Sequence, residues 1–155
     1  MPARHREVLS RPSPRLAPAA SPVACGFPKP ESLAVVPERA LRNLGLGFRA
    51  PYLKAAAQAA SNGKADLEGW NHLEDEALRK ALLGIPGVGE KVVECVMLFA
   101  YGRTAAFPVD VWISRVMREK YFRGRKVRDW KVREFARRHF GPYCGWAQQY
   151  LFCRA

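Results

Sequence analysis

Leu83-Gly84-Ile85-Pro86-Gly87-Val88-Gly89-Glu90-Lys91 is the stretch on which the reading of this chain turns. Three glycines and a proline fall within six residues, between two segments whose apolar residues recur at helical spacing. Such a run reverses the chain sharply, and glycine lets backbone N–H groups approach a partner that a Cβ would hold off. N–H groups at the start of the following helix favour an anion, so a DNA phosphate is a natural ligand of this turn. A plain corner between two helices would ask only for the glycines. The order LxGIPGVGxK in so basic a chain favours the DNA reading.

The basicity is large. Lys and Arg number 26 against 14 Asp and Glu in 155 residues, a net charge of +12. That excess needs a negative partner, nucleic acid first and an anionic membrane surface second. At 48% hydrophobic the chain can build one real core, which fits a single domain. No apolar run approaches the length of a bilayer span, and the N-terminus lacks the apolar stretch of a signal peptide. A soluble protein with no membrane partner is therefore expected, working in the cytoplasm at the nucleoid of a bacterium or in the nucleus of a eukaryote. Cys25, Cys95, Cys144 and Cys153 are too scattered for a disulfide framework, form no CxxC pair, and stand at no ligand spacing from His5, His72 or His139. Reduced thiols and no metal or other cofactor are expected.

Outward from the turn, the pattern predicts an all-α domain over residues 25–155, preceded by a Pro- and Arg-rich tail, 1–24, too rich in proline to order. Short helices are expected over 30–36, over 37–44 with Gly45 as its stop, and over 51–60, with a brief turn at 67–73. The turn itself joins helices over 74–83 and 90–101, a hairpin of about 74–101. Helices over 111–121, 126–139 and 143–153 complete the chain. Asp110 lies just before a helix whose Ile113, Val116, Met117 and Tyr121 form an apolar stripe, so it is placed as that helix's N-cap. Cys95 falls four residues after Lys91, and Phe152 four after Gln148, so each pair shares a helix face. A sulfur and an aromatic ring could sandwich a flipped base while the Gln amide reads its edge. Cys and Phe on helices are more often plain core.

These segments together resemble the helix-hairpin-helix DNA glycosylase superfamily, and within it the 8-oxoguanine glycosylases that also cleave abasic sites. The resemblance rests on the turn with Lys91, on Phe107-Pro108-Val109-Asp110-Val111-Trp112, on Gly45-Leu46-Gly47-Phe48-Arg49-Ala50-Pro51-Tyr52, and on Gly141-Pro142-Tyr143-Cys144-Gly145-Trp146-Ala147-Gln148 running on to Phe152. It implies that Lys91 is the nucleophile and that Asp110 steadies the cationic sugar. It implies further that Cys95, Gln148 and Phe152 hold the oxidised purine, and that Gly87, Val88 and Gly89 contact backbone phosphate. On the same grounds Phe48 wedges into the duplex and Arg49 meets the orphaned cytosine. The implied partner is double-stranded DNA carrying an oxidised purine, bound by a monomer.

The chemistry fits the residue types. An amine in the first turn of a helix, at the positive end of the dipole and partly desolvated, supplies neutral Lys more readily. Such an amine can attack C1′, displace the base and leave a Schiff base from which the strand is cut. The family's histidine is Trp112 here, Phe48 replaces a commoner Tyr, and the sequence is expected to be truncated relative to the family's N-terminal region, which carries an Asn that fills the gap left by the base and a second cytosine-reading Arg. Two rivals follow: a non-catalytic DNA-binding fragment, and an oxidised-pyrimidine enzyme resembling endonuclease III. Many members of the latter group carry a four-Cys iron–sulfur loop, which Cys144 and Cys153 alone cannot make. Between Arg115 and His139 stand eleven Lys or Arg, a density that suggests phosphate contact, with Trp130, Phe135 and Phe140 assigned to the core.

Overall fold

The computed structural model describes residues 27–153, so the tail expected over 1–24 lies outside the described residues. Eight α-helices and short 3-10 and π turns account for the regular structure, with no strand among the described residues. α1 (Pro30–Val35) lies along α3 (Ala50–Ser61), with α2 (Glu38–Leu41) between them in sequence. α4 (Asp75–Leu83) and α5 (Glu90–Phe99) form the hairpin, and α6 (Val111–Tyr121), α7 (Asp129–Phe140) and α8 (Cys144–Cys153) pack on one another.

Two helix boundaries differ by three residues from expectation. Gly45 does not stop the second helix cleanly: α2 ends at Leu41 and the chain runs on through a π turn, Arg42–Leu46, where Gly45 takes φ +86. α7 begins at Asp129 rather than at residue 126, because Arg128 is extended (ψ 146) and acts as its N-cap. The 67–73 turn is a 3-10 turn, Gly69–His72.

The core has two lobes. Leu78, Leu82, Val93, Met97, Leu98 and Ala106 close the hairpin side, and Ile85 and Val88 of the turn pack onto them. Phe107, Val109, Ile113, Met117, Val132, Ala136 and Cys144 form the second lobe, with Phe135 and Phe140 against it. Trp130 departs from its expected place: it is 49% exposed, with the Lys131 ammonium 5.3 Å from the ring centroid. It stands on the outer side of α7, away from the buried Val132 and Ala136.

Residues 103–110 run between the lobes, contributing Ala106 to one and Phe107 to the other. Backbone without regular structure must find partners when buried. Here the Gly145 N–H donates to Thr104 O (2.8 Å), the Thr104 hydroxyl to Pro142 O (2.8 Å), and the Cys144 thiol to Ala105 O (3.2 Å). Gly145 permits the first of these. A Cβ there would stand 2.6 Å from Ala106 O and 2.8 Å from Thr104 O.

Candidate active site

The hairpin turn is built as its sequence predicts. Pro86 and Gly87 occupy its centre, Gly87 has φ +82, and the Val88 N–H donates to Ile85 O at 3.1 Å, the arrangement of a type II turn. Gly87 also has a packing reason to lack a side chain, since a Cβ would fall 2.3 Å from the Tyr52 ring. That contact seats the start of α3 beside the turn, and with it the preceding 3-10 turn, Gly47–Arg49. Phe48 is 74% exposed there, with the Arg49 guanidinium 5.7 Å from its ring centroid. Read from helix position alone, Phe48 would pass for core, yet the fold leaves it in solvent.

Gly89 is the N-cap residue of α5 and offers no capping side chain, which leaves the first-turn N–H groups without a side-chain partner. Lys91 follows in that first turn and is exposed. The fold therefore does not supply the partial desolvation of its amine that the sequence suggested. Asp110 caps α6 as expected: its Oδ1 accepts the Ile113 N–H at 2.7 Å, which fixes the carboxylate and leaves Oδ2 for another partner.

Lys91, Cys95, Asp110, Gln148 and Phe152, drawn from α5, α8 and the end of the 103–110 segment, line one cleft of about 220 Å³. Phe99, Pro108 and Gln149 complete its lining. A larger cleft, about 560 Å³, lies elsewhere, between α3 and α4, and holds none of those five residues. Chemistry rather than size identifies the site. Gln148 is nearly buried and its Oε1 accepts from the Gln149 amide. Phe99 was findable from sequence, being four residues beyond Cys95 on the face that carries Lys91. Gln149 offered no such signal. Phe48, Arg49, Gly87, Val88 and Gly89 lie outside this cleft, on the turn and beside it.

One buried acid organises the surroundings. Glu94 has no exposure at all; its Oε2 accepts the Phe107 N–H at 2.7 Å, and its Oε1 meets Arg79 Nη2 (2.8 Å), Arg137 Nη2 (3.3 Å) and Arg133 Nε (3.6 Å). Arg79 comes from α4 and the other two from α7, so a single carboxylate ties both lobes to the segment that ends in Asp110. Two of the eleven basic residues over 115–139 thus turn inward to an acid instead of facing phosphate. Glu94 was missed in sequence because an acid within an apolar helix reads as a surface position.

Among the described residues no three or more His, Cys, Asp or Glu side chains are grouped to hold a metal ion, and no helix is long and apolar enough to cross a membrane.

A family profile described as HhH-GPD superfamily base excision DNA repair protein matches residues 11–142. The chain belongs to this superfamily. Among HhH-GPD relatives, it is 38% identical over 115 residues to a probable N-glycosylase/DNA lyase of Methanothermobacter thermautotrophicus, a span of 74% of this chain and 36% of that one. It is similar in structure to a Clostridium acetobutylicum 8-oxoguanine glycosylase/lyase solved with double-stranded DNA containing cytosine opposite 8-oxoG, with TM-score 0.77, 38% identity, and coverage of 82% of this chain and 43% of that one. A 3-methyladenine DNA-glycosylase from Archaeoglobus fulgidus superposes with TM-score 0.68 at 30% identity, over 83% of this chain and 43% of that one. This HhH-GPD chain thus spans about two fifths of the length of the relatives it matches. The all-α expectation and the recognition of the superfamily from its motifs both hold.

Proposed function

We propose that this chain acts as a base-excision DNA glycosylase with abasic-site lyase activity, removing 8-oxoguanine from duplex DNA. The observation that carries the reading is the shared cleft, which gathers an amine, a fixed carboxylate, a thiol, an amide and an aromatic ring around one small space. Likeness to the 8-oxoguanine glycosylase/lyase supports it.

In this reading the Lys91 amine, covered by bound DNA and so desolvated there, attacks C1′ of the flipped nucleotide as the bond from C1′ to the base nitrogen breaks. Asp110 stabilises the positive charge that develops on the sugar and carries protons. The ring opens to an imine on Lys91, a proton leaves C2′, and the 3′ phosphate departs by β-elimination. Cys95 and Phe152 stack on the two faces of the base, and the Gln148 amide meets its hydrogen-bonding edge. Gly87, Val88 and Gly89 offer backbone N–H groups to a phosphate, Phe48 fills the disturbed stack, and Arg49 meets the orphaned cytosine. The protein works as a monomer on the genome, at the nucleoid of a bacterium or in the nucleus of a eukaryote.

Borohydride reduction in the presence of duplex DNA with 8-oxoguanine opposite cytosine tests this directly. A covalent protein–DNA adduct is expected, and Lys91→Gln removes it. Folded protein that binds DNA in a salt-sensitive way yet gives no adduct overturns the lyase reading in favour of a DNA-binding module without turnover.

A further inference from the structure

Lys91 and Asp110 also line a second cleft, of about 380 Å³, which continues along α6 past Ser114 to Arg118 and Asp129. Arg118 and Asp129 in turn line a third, of about 520 Å³, with Lys126 and Arg128. The clefts share two residues, so they form one groove leading from the Lys91 amine to the α6–α7 connection. Two polar atoms in its wall are buried without a partner: Ser114 Oγ, on a residue 5% exposed, and Arg118 Nε. Arg118 forms no ion pair among the described residues, although Asp129 borders the same two clefts.

We propose that this groove holds the sugar–phosphate backbone of the DNA strand whose nucleotide enters the Lys91 cleft, with Arg118 as its central phosphate ligand and Lys126 and Arg128 taking the phosphates beyond. The proposal rests on the glycosylase reading for what the strand presents to Lys91. It stands on the groove for where the strand goes. From Asp110 to Arg118 the helix rises about 12 Å. A DNA strand advances about 3.4 Å per phosphate along its axis, so that length accommodates about three or four phosphates. A guanidinium offers a phosphate parallel N–H donors, and Arg118, with no ion pair among the described residues, has no carboxylate to give up for one. Lys91, Arg118, Lys126 and Arg128 outnumber Asp110 and Asp129 along the groove. The two acids are engaged elsewhere, Asp110 in its cap and Asp129 in the first turn of α7, where the helix dipole favours it.

The test compares the whole protein with a triple variant, Arg118→Gln, Lys126→Gln and Arg128→Gln, and with a control triple of equal charge loss, Lys29→Gln, Arg39→Gln and Lys64→Gln. Binding to a duplex carrying a stable abasic-site analogue is measured against salt, with melting followed by circular dichroism to show that each variant is folded. The groove variant is expected to bind ten- to a hundredfold more weakly and to lose about 2 to 3 from the slope of log K against log salt. The control triple should lose less than half as much. Methylphosphonates placed singly beside the abasic site should weaken wild type and add little to the defect of the groove variant. Equal losses in the two triples, or methylphosphonate effects that add fully to the groove variant, overturn the proposal. Borohydride trapping of wild type is scored separately, so loss of the lyase reading and loss of the groove give different results.

Discussion

Glu94 Oε2 accepts the Phe107 N–H at 2.7 Å, across thirteen residues of sequence and within the buried centre of the molecule. Phe107 lies three residues before Asp110, and Glu94 three after Lys91 on α5. This hydrogen bond therefore sets the segment carrying the carboxylate against the helix carrying the amine. Three arginines complete the environment of the acid, so that its charge is compensated where water cannot reach.

Glu94→Gln keeps the shape and removes the charge, leaving the largely buried Arg79 and Arg133 with only the half-exposed Glu90 as counter-ion, at 3.5 Å and 3.3 Å. The expected cost is about 3 kcal/mol, toward the low end for a broken buried pair because Arg137 remains half exposed. In a domain of this size that is a fall of about 10 °C in Tm by calorimetry. Trapping by borohydride at a temperature where the variant is still folded should also slow; a variant as stable and as fast as wild type would show that Glu94 does not organise the site.

Gly145→Ala pushes a methyl group toward two carbonyl oxygens and Leu98 Cδ1, all within 2.8 Å of the new Cβ. Backbone cannot step aside as a flexible side chain can, so a loss of about 3 kcal/mol is expected, at the upper end for overpacking. Urea unfolding checks it. A midpoint within error of wild type would mean that α8 and the 103–110 segment separate freely.

Burial pushes the Cys144 thiol up from its ordinary value, with the Glu94 charge adding to the rise and the Arg137 charge opposing it. The folded state holds this proton more tightly than the unfolded chain. The resulting stability is present below the ordinary thiol value and is lost as pH rises through the raised one. Stability should decline on the alkaline side, and Cys144→Ala should flatten that decline. A thiol reagent at neutral pH should modify the exposed Cys153 well before the buried Cys144, read by mass spectrometry of the peptides.

Gln148→Ala removes the amide that lines the candidate base cleft while leaving Lys91 and Asp110 in place. The glycosylase step on an 8-oxoguanine duplex should fall by about tenfold to a hundredfold, the loss expected for a missing hydrogen-bonding partner. Strand cutting at a preformed abasic site should change far less. Equal losses in the two assays would assign Gln148 to the packing of α8 rather than to the base.

The sequence by itself determined whatever rests on neighbours a few residues apart. The Pro86-Gly87 turn, the Asp110 cap and the face shared by Lys91, Cys95 and Phe99 follow from backbone sterics and helical period, so composition and spacing sufficed. The motif order was also enough to identify the superfamily. Tertiary structure alone decided the rest. Glu94 looks like a surface acid until α4 and α7 bring three guanidinium groups to it, and Arg133 and Arg137 are undistinguished members of a basic run until the same packing turns them toward that acid. Read from helix position alone Phe48 passes for core, and the packed fold leaves it in solvent. Each of these depends on pairs far apart in sequence, whose meeting is fixed by how whole helices pack and which charges that packing must bury.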